Sequence, residues 1–210
     1  GFQNIILLQE PIAAAVAYGA KPDAKDKHWM VFDYGGGTLD VAIISTLDNR
    51  LTVENSEGDN YFGGSDIDRL LFRQVVLKKL REAGYHVDRL FDESTSSGKS
   101  LARKVQLDCE NCKIELSNKE SSILEIFDMD DDDGEPIEFE CEITRQELES
   151  IISDTVERSI SIAKKALAGA NIRDDQLDKI LLVGGSTFIP LVRRRLEEAF
   201  GVELDSSLNP

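Results

Sequence analysis

The chain of 210 residues is strongly acidic, with 24 lysines and arginines against 40 aspartates and glutamates and a formal net charge of −16 at pH 7. Charge of this sign repels phosphate backbones and anionic lipids, which argues against nucleic-acid or membrane-surface binding as the main function. Hydrophobic residues make up 41% and charged residues 30%, as in an ordinary folded domain. No apolar run reaches the roughly 18 residues of a membrane helix, so we expect a soluble chain.

The cysteine content favours a reducing, cytoplasmic compartment, because three cysteines cannot form a complete disulfide framework. Cys109 and Cys112 form a C-x-x-C pair, which is typical of redox and zinc sites. A structural zinc needs four ligands, and the two histidines, His28 and His86, each stand alone. We therefore predict that both thiols are buried as small apolar groups on one helix face.

Both ends of the chain alternate between strands and helices. Pro11 near a first turn and Gly19 just past a last turn delimit the first helix, and Gly201 ends the last one. The predicted elements are a strand at 5–8, a helix at 12–18, strands at 29–33, 39–45 and 51–57 with a turn at Asp48-Asn49, and, near the C-terminus, a strand at 180–183, a turn and a helix at 190–200.

The middle of the chain is richer in helix. Helical periodicity covers residues 66–82 and 100–116, and a hairpin is expected from strands at 123–127 and 137–143. Ser65 with Asp68, and Thr144 with Glu147, fit capping boxes, the second opening a helix that runs to about Ala168. We predict an α/β unit of residues 1–61 and 144–210 with an inserted, helix-rich α+β subdomain at 62–143.

The run Asp33-Tyr34-Gly35-Gly36-Gly37-Thr38-Leu39-Asp40 lies between two predicted strands. Three glycines in a hairpin let the backbone approach an anion closely and direct N–H groups at it, so a phosphate is the natural ligand. Asp33 and Asp40 would repel that phosphate unless a hard cation lay between them, which implies Mg²⁺ held largely through water. A plain glycine hairpin with surface acids is the alternative. No Walker motif is present, because no G-K-[ST] follows the glycines.

Five segments, in order, resemble the 70-kDa heat-shock (DnaK-type) molecular chaperone family. They are residues 10–15, 33–40, 58–66 and 110–117 and the run Gly184-Gly185-Ser186-Thr187. The resemblance spans residues 5–210 and covers the second of the two lobes of that family's ATPase domain. It implies an actin-like (ribonuclease H-like) ATPase lobe, with residues 1–61 and 144–210 as the IIA-like subdomain and 62–143 as the IIB-like subdomain.

The resemblance also implies a role for each residue of the site. Glu10, Asp33, Thr38 and Asp40 would be catalytic, and Asp33 and Asp40, with Glu10 through water, would hold Mg²⁺. The residues expected to contact nucleotide are Gly35, Gly36, Gly37, Gly63, Gly64, Glu110, Lys113, Ile114, Ser117, Gly184, Gly185, Ser186 and Phe188. Ordinary structural roles are the alternatives: a solvated face for the α-helical trio at 110, 113 and 117, a helix-capping turn at 184–187 and a helix boundary at 63–64.

Some positions depart from the family pattern. Phe188 stands where many members place an arginine against the adenine, and Ile114 stands where some carry a second arginine. Apolar and aromatic surfaces still sandwich a purine, so these changes bear on affinity and base selectivity. The acidic run at 128–135 fits a calcium loop poorly, since Met129 would occupy the first ligand position. We predict a solvated hairpin tip there, able to steer a basic partner.

The family resemblance implies a lobe that binds ATP or ADP with Mg²⁺, and K⁺ as a further cation. In the full-length protein ATP hydrolysis would drive binding and release of unfolded polypeptide, with J-domain co-chaperones and nucleotide-exchange factors as partners. We expect a monomeric piece of a longer protein, inactive alone because the first lobe is missing. The alternatives are a poorly hydrolysing co-chaperone or exchange-factor relative and, further off, a sugar kinase or filament-forming protein of the actin-like group.

Overall fold

The computed structural model describes residues 8–21 and 27–207. In chain order the elements are α1 (Glu10–Ala17), β1 (His28–Tyr34), β2 (Leu39–Leu47), β3 (Arg50–Asp59), α2 (Gly64–Leu71), α3 (Leu77–Glu82), α4 (Ser96–Leu116), β4 (Ser121–Ile126), β5 (Phe139–Thr144), α5 (Arg145–Gly169), β6 (Lys179–Val183), α6 (Pro190–Phe200) and β7 (Glu203–Asp205). A π-helical turn, Phe72–Val76, joins α2 to α3. The predicted strand at 5–8 lies, apart from Leu8, outside the described residues.

The chain divides into two compact units. One, the terminal unit, comprises residues up to 64 and from 156 onward, and the other, the middle unit, comprises residues 65–155. The first segment of the terminal unit ends at residue 64, three residues after the predicted boundary at 61. The middle unit ends at residue 155, twelve residues after the predicted boundary at 143. Their assignment as IIA-like and IIB-like subdomains stays a prediction.

The terminal unit contains a mixed five-stranded sheet in the order β3-β2-β1-β6-β7. Strands β1, β2 and β3 are antiparallel neighbours, whereas β6 lies parallel to β1 and β7 parallel to β6. Asp48 and Asn49 take positive φ angles of 49° and 60°, which is the geometry of the predicted tight turn between β2 and β3. The predicted α/β fold is confirmed, and β7 is an added edge strand of three residues.

Helix α6 has the predicted bounds, whereas α1 begins two residues before and ends one residue before the predicted helix at 12–18. Pro11 lies in the first turn of α1 and Pro190 opens α6, because a proline there loses no helical hydrogen bond. Gly19 and Gly201 follow the two helices with φ angles of 86° and 65°, the left-handed conformation that glycine adopts without a Cβ clash. Across the described ranges, no helix is both long and apolar enough to span a bilayer.

In the middle unit, one predicted capping box is confirmed and the other is wrong. The Thr144 N–H donates to Glu147 Oε2 at 2.8 Å and the Glu147 N–H donates to Thr144 Oγ1 at 3.1 Å. Asp68 instead lies inside α2, which begins at Gly64, and its carboxylate pairs with the Lys113 ammonium at 2.7 Å. Ion pairing of a buried acid therefore replaces the predicted Ser65–Asp68 cap.

The prediction for Cys109 and Cys112 is confirmed. Both are buried free thiols on one face of α4, and burial raises the pKa of each. The described residues contain no group of three or more His, Cys, Asp or Glu side chains able to hold a metal ion. These thiols thus pack as small apolar groups.

Most of the acidic run at 128–135 is exposed, as predicted for a solvated tip, but its central residues Asp131 and Asp132 are only partly exposed, so the prediction is wrong for these two. The Asp132 carboxylate accepts the N–H groups of Arg89 and Leu90 at 2.8 and 2.7 Å. The Asp131 carboxylate accepts the N–H groups of Glu135 at 3.0 Å, His86 at 3.2 Å and Asp133 at 2.9 Å, and these hydrogen bonds lower the pKa of Asp131. The acids tie the hairpin loop to residues 86–90 because each satisfies backbone donors.

Candidate functional site

The turn between β1 and β2 is a tight glycine hairpin at residues 35–38. The Gly35 N–H donates to the Thr38 carbonyl at 3.0 Å and closes the turn. Gly36, Gly37 and Thr38 are exposed. The backbone of the turn is therefore accessible to an incoming anion, as the three consecutive glycines predict.

Two distant segments hold this turn through one acceptor, the Gly35 carbonyl. It accepts the Gly64 N–H at 3.0 Å and the Ser186 hydroxyl at 3.0 Å. Ser186 is buried, so its hydroxyl is satisfied inside the protein. The structure thus brings Gly64 and Ser186, both predicted site residues, against the glycine turn.

Two further predicted glycines, Gly63 and Gly184, pack where no side chain fits. A Cβ on Gly63 would lie 2.5 Å from the Gly37 nitrogen. A Cβ on Gly184, whose φ is +85°, would lie 2.5 Å from the Tyr34 carbonyl oxygen. Close backbone approach therefore requires glycine at both positions.

Three carboxylates and a hydroxyl share one cleft of the terminal unit. Glu10, Asp33, Thr38 and Asp40 line a cavity of about 480 Å³. Asp33 and Asp40 are cross-strand partners, so their side chains lie on the same face of the sheet. Burial, and then the negative charges of Glu10 and Asp40, raise the pKa of Asp33. The cleft thus concentrates negative charge that a bound cation would relieve.

Sequence reasoning missed other residues of this cleft. Ser56, Glu57 and Asn60 also line it. Gly58, which pairs with Asp40 across β2 and β3, makes room for that carboxylate, since a Cβ on Gly58 would lie 2.9 Å from Asp40 Oδ1. The available signal was a glycine within a strand, which often marks a close approach.

The predicted nucleoside residues of α4 lie in the middle unit and differ in exposure. Glu110 and Ile114 are exposed and Ser117 is half-buried. Lys113 is buried, and its ammonium pairs with Asp68. Three of the four predicted residues are thus accessible to a ligand, whereas the lysine lies inside the unit.

Phe188 is partly exposed beside the glycine segment at 184–186. The Arg193 guanidinium lies 5.2 Å from the centroid of the Phe188 ring, and its Nε donates to the Thr187 carbonyl at 3.0 Å. Gly185 is exposed. The sequence predicts an aromatic stacking surface at Phe188, but it does not predict the arginine over the ring, because Arg193 lies five residues further along the chain.

The fold, with a glycine turn between antiparallel strands and acids beside it, is that of an actin-like ATPase lobe. The family model of Hsp70 proteins matches residues 1–210. DnaK chaperone proteins of Thermotoga neapolitana, Thermosipho africanus and Thermotoga petrophila are 34%, 31% and 33% identical, over all of this chain and 34% of each relative. The chain therefore belongs to the Hsp70 family, and it spans about a third of the length of these curated relatives.

Proposed function

We propose that this chain is the second lobe of the ATPase domain of a DnaK-type chaperone and that it binds ATP and ADP with Mg²⁺. The observation that carries the proposal is the accessible glycine turn. Hydrogen bonds to the Gly35 carbonyl fix this turn, and a cleft with three carboxylates lies beside it. Backbone amides of such a turn bind phosphate. In the full-length protein, ATP hydrolysis would drive binding and release of unfolded polypeptide, with J-domain co-chaperones and nucleotide-exchange factors as partners.

The cleft suits Mg²⁺ held mainly through water. Glu10, Asp33 and Asp40 share the cleft, and burial, followed by the negative charges of Glu10 and Asp40, raises the pKa of Asp33. Among the described residues no three such side chains converge on one point, and Mg²⁺ ordinarily keeps several of its water ligands. When bound, Mg²⁺ would offset the charge of the phosphates, and K⁺ would be a further cation.

The chain's own groups would orient the reacting water. Burial, and then the negative charges of Glu10 and Asp40, raise the pKa of Asp33, which makes its carboxylate a better proton acceptor and suits it to the role of general base. The Thr38 hydroxyl lies at the rim of the same cleft, where it would position the water or a phosphate oxygen. Glu10 and Asp40 would hold the water ligands of the metal. Hydrolysis also needs groups on the far side of the phosphate, so we expect this lobe alone to be inactive.

In the middle unit, we assign nucleoside contacts to Glu110, Ile114 and Ser117, which are at least partly exposed. In the terminal unit, we assign such a contact to Phe188, which is also partly exposed. Lys113 would act indirectly, because its ammonium is already paired with Asp68. Gly184 and Gly185 would approach the sugar and α-phosphate.

Two measurements test the proposal. Isothermal titration of the full natural chain, meaning the full-length protein that contains this lobe, should show Mg·ADP binding, and Asp40→Asn should weaken it. Glu54 is an exposed acid on β3 outside the cleft, so Glu54→Gln should leave the affinity unchanged. Single-turnover ATP hydrolysis should be accelerated by an unfolded peptide, and Thr38→Ala should slow hydrolysis more than it weakens ATP binding. Equal losses of both would contradict the role of Thr38.

The alternative is a relative that binds ATP as a switch and hydrolyses it poorly. The presence of Glu10, Asp33, Thr38 and Asp40 in one cleft favours the hydrolase, because a switch does not need catalytic groups. Tight ATP binding without turnover in the full natural chain would favour the switch instead. A cytoplasmic location stays a prediction from the cysteine content.

A further inference from the structure

Arg158, on α5, contacts the segment that leads into the glycine-rich site from β3. Its guanidinium carbon lies 4.6 Å from the centroid of the Phe62 ring. Phe62 also stacks with the fully buried Tyr34, with ring centroids 5.6 Å apart and planes 16° apart. Tyr34 directly precedes the glycine turn. A stack of three side chains thus connects α5 to the root of that turn.

Arg158 also holds the start of the same segment through an ion pair. Its terminal nitrogen donates to Asp59 Oδ2, and Asp59 Oδ1 accepts the Tyr61 N–H at 3.0 Å. Both carboxylate oxygens of Asp59 are therefore in use, one toward α5 and one within the turn. The segment at 59–62 is fixed at its first residue and at its aromatic ring.

The backbone that follows the segment at 59–62 lies directly against the glycine turn. Gly63 follows Phe62, and a Cβ on Gly63 would lie 2.6 Å from the carbonyl carbon of Gly36. The next N–H, that of Gly64, donates to the Gly35 carbonyl. Because these contacts join backbone to backbone, a displacement of Phe62 is passed to the turn with little loss.

We propose that Arg158 is a positioning residue for the phosphate-binding turn. It acts through Asp59 and Phe62, which place the Gly63–Gly64 backbone against Gly35–Gly37. This inference rests on the proposed function of the turn as a phosphate site. It assigns Arg158 no contact with nucleotide, since its guanidinium already faces the Phe62 ring and the Asp59 carboxylate.

The first test compares nucleotides that differ in phosphate number, with the full natural chain and isothermal titration. Loss of one partly exposed ion pair and one cation–π contact should weaken Mg·ADP binding by about fivefold in Arg158→Gln. AMP binding should change little, because AMP lacks the phosphates that the turn would hold. Arg158→Lys should recover only part of the loss, since an ammonium lacks the planar fork and the stacking face of arginine.

The matched control is Arg173→Gln, which removes an exposed arginine paired with Asp175 elsewhere in the terminal unit. It should leave both affinities unchanged. Equal weakening of ADP and AMP by Arg158→Gln, or no weakening of either, would overturn the inference. Hydrogen exchange of the β1 backbone amides shows whether the terminal unit of each variant is folded, because β1 lies in the sheet of that unit.

The second test separates positioning from direct attraction of phosphate by the arginine. Asp59→Asn removes a negative charge, so simple electrostatics predicts tighter ADP binding. Positioning predicts weaker binding, and an effect that does not add to that of Arg158→Gln in the double variant. Additive effects, or tighter binding by Asp59→Asn, would overturn the inference. Failure of the unmodified chain to bind Mg·ADP would instead refute the proposed function itself.

Discussion

Replacing Gly63 by alanine tests the packing behind the glycine turn. The added Cβ would lie 2.5 Å from the Gly37 nitrogen, and ordinary contact begins at 3.4 Å, so the two backbones fall 0.9 Å short of the room required. Neither backbone yields as a flexible side chain does. Overpacking of this kind costs about 1–3 kcal/mol. The 3.0 Å hydrogen bond from Gly64 to Gly35 would also lengthen, adding about 1 kcal/mol.

We therefore expect Gly63→Ala to lower the free energy of unfolding by about 2–4 kcal/mol. Urea unfolding monitored by Trp29 fluorescence measures it, since Trp29 lies in the same unit. Gly185→Ala is the matched control, because a Cβ there meets nothing within 4 Å. Mg·ADP affinity should fall in Gly63→Ala. A Gly63→Ala protein as stable as Gly185→Ala, with unchanged ADP affinity, would refute the packing argument.

Two further predictions concern buried charge. Burial and the charges of Glu10 and Asp40 raise the pKa of Asp33 above its ordinary value of 3.8, so the ionised carboxylate destabilises the native state once the pH rises through its folded pKa. Urea unfolding should therefore show Asp33→Asn to be more stable than the parent at neutral pH, and this gain should disappear below pH 3.8. An equal gain at every pH would contradict the prediction. Lys113→Met leaves Asp68 buried without its ion-pair partner and should lower the free energy of unfolding of the middle unit by about 3 kcal/mol, measured by hydrogen exchange of α4. The double variant Lys113→Met with Asp68→Leu should recover most of that loss. A double variant as unstable as the single one would contradict the ion-pair argument.

The parts of the structure that sequence predicts well are those set by local chemistry. Three glycines between two apolar runs favour a hairpin turn, and Asp48-Asn49 favours another, because these residue types tolerate the backbone angles that such turns require. The helix ends at Gly19 and Gly201 follow from the same principle.

Pairs formed across the fold escape such reasoning. Asp59 and Arg158 lie 99 residues apart in the chain, and neither carries a local pattern that names the other. Asp68 is an example of a local pattern that predicts the wrong contact. Its spacing from Ser65 matched a helix cap, yet burial against Lys113 gave its carboxylate a stronger partner. Similarly, Asp131 and Asp132 read as solvated acids because sequence does not show that backbone donors surround them.

The site contains one feature that stabilises the unliganded fold and another that destabilises it. The glycine turn is held rigidly, because the Gly35 carbonyl joins segments 29 and 151 residues away along the chain. Burial, and then repulsion by the carboxylates of Glu10 and Asp40, raise the pKa of Asp33, so its ionised carboxylate weakens the unliganded fold. A cation bound there would remove that repulsion, so Mg·nucleotide should stabilise the terminal unit by more than its phosphate contacts alone supply. Asp33→Asn, stable without ligand, should gain less from Mg·ADP than the parent does, and an equal gain in both would show that the acids take no part in binding.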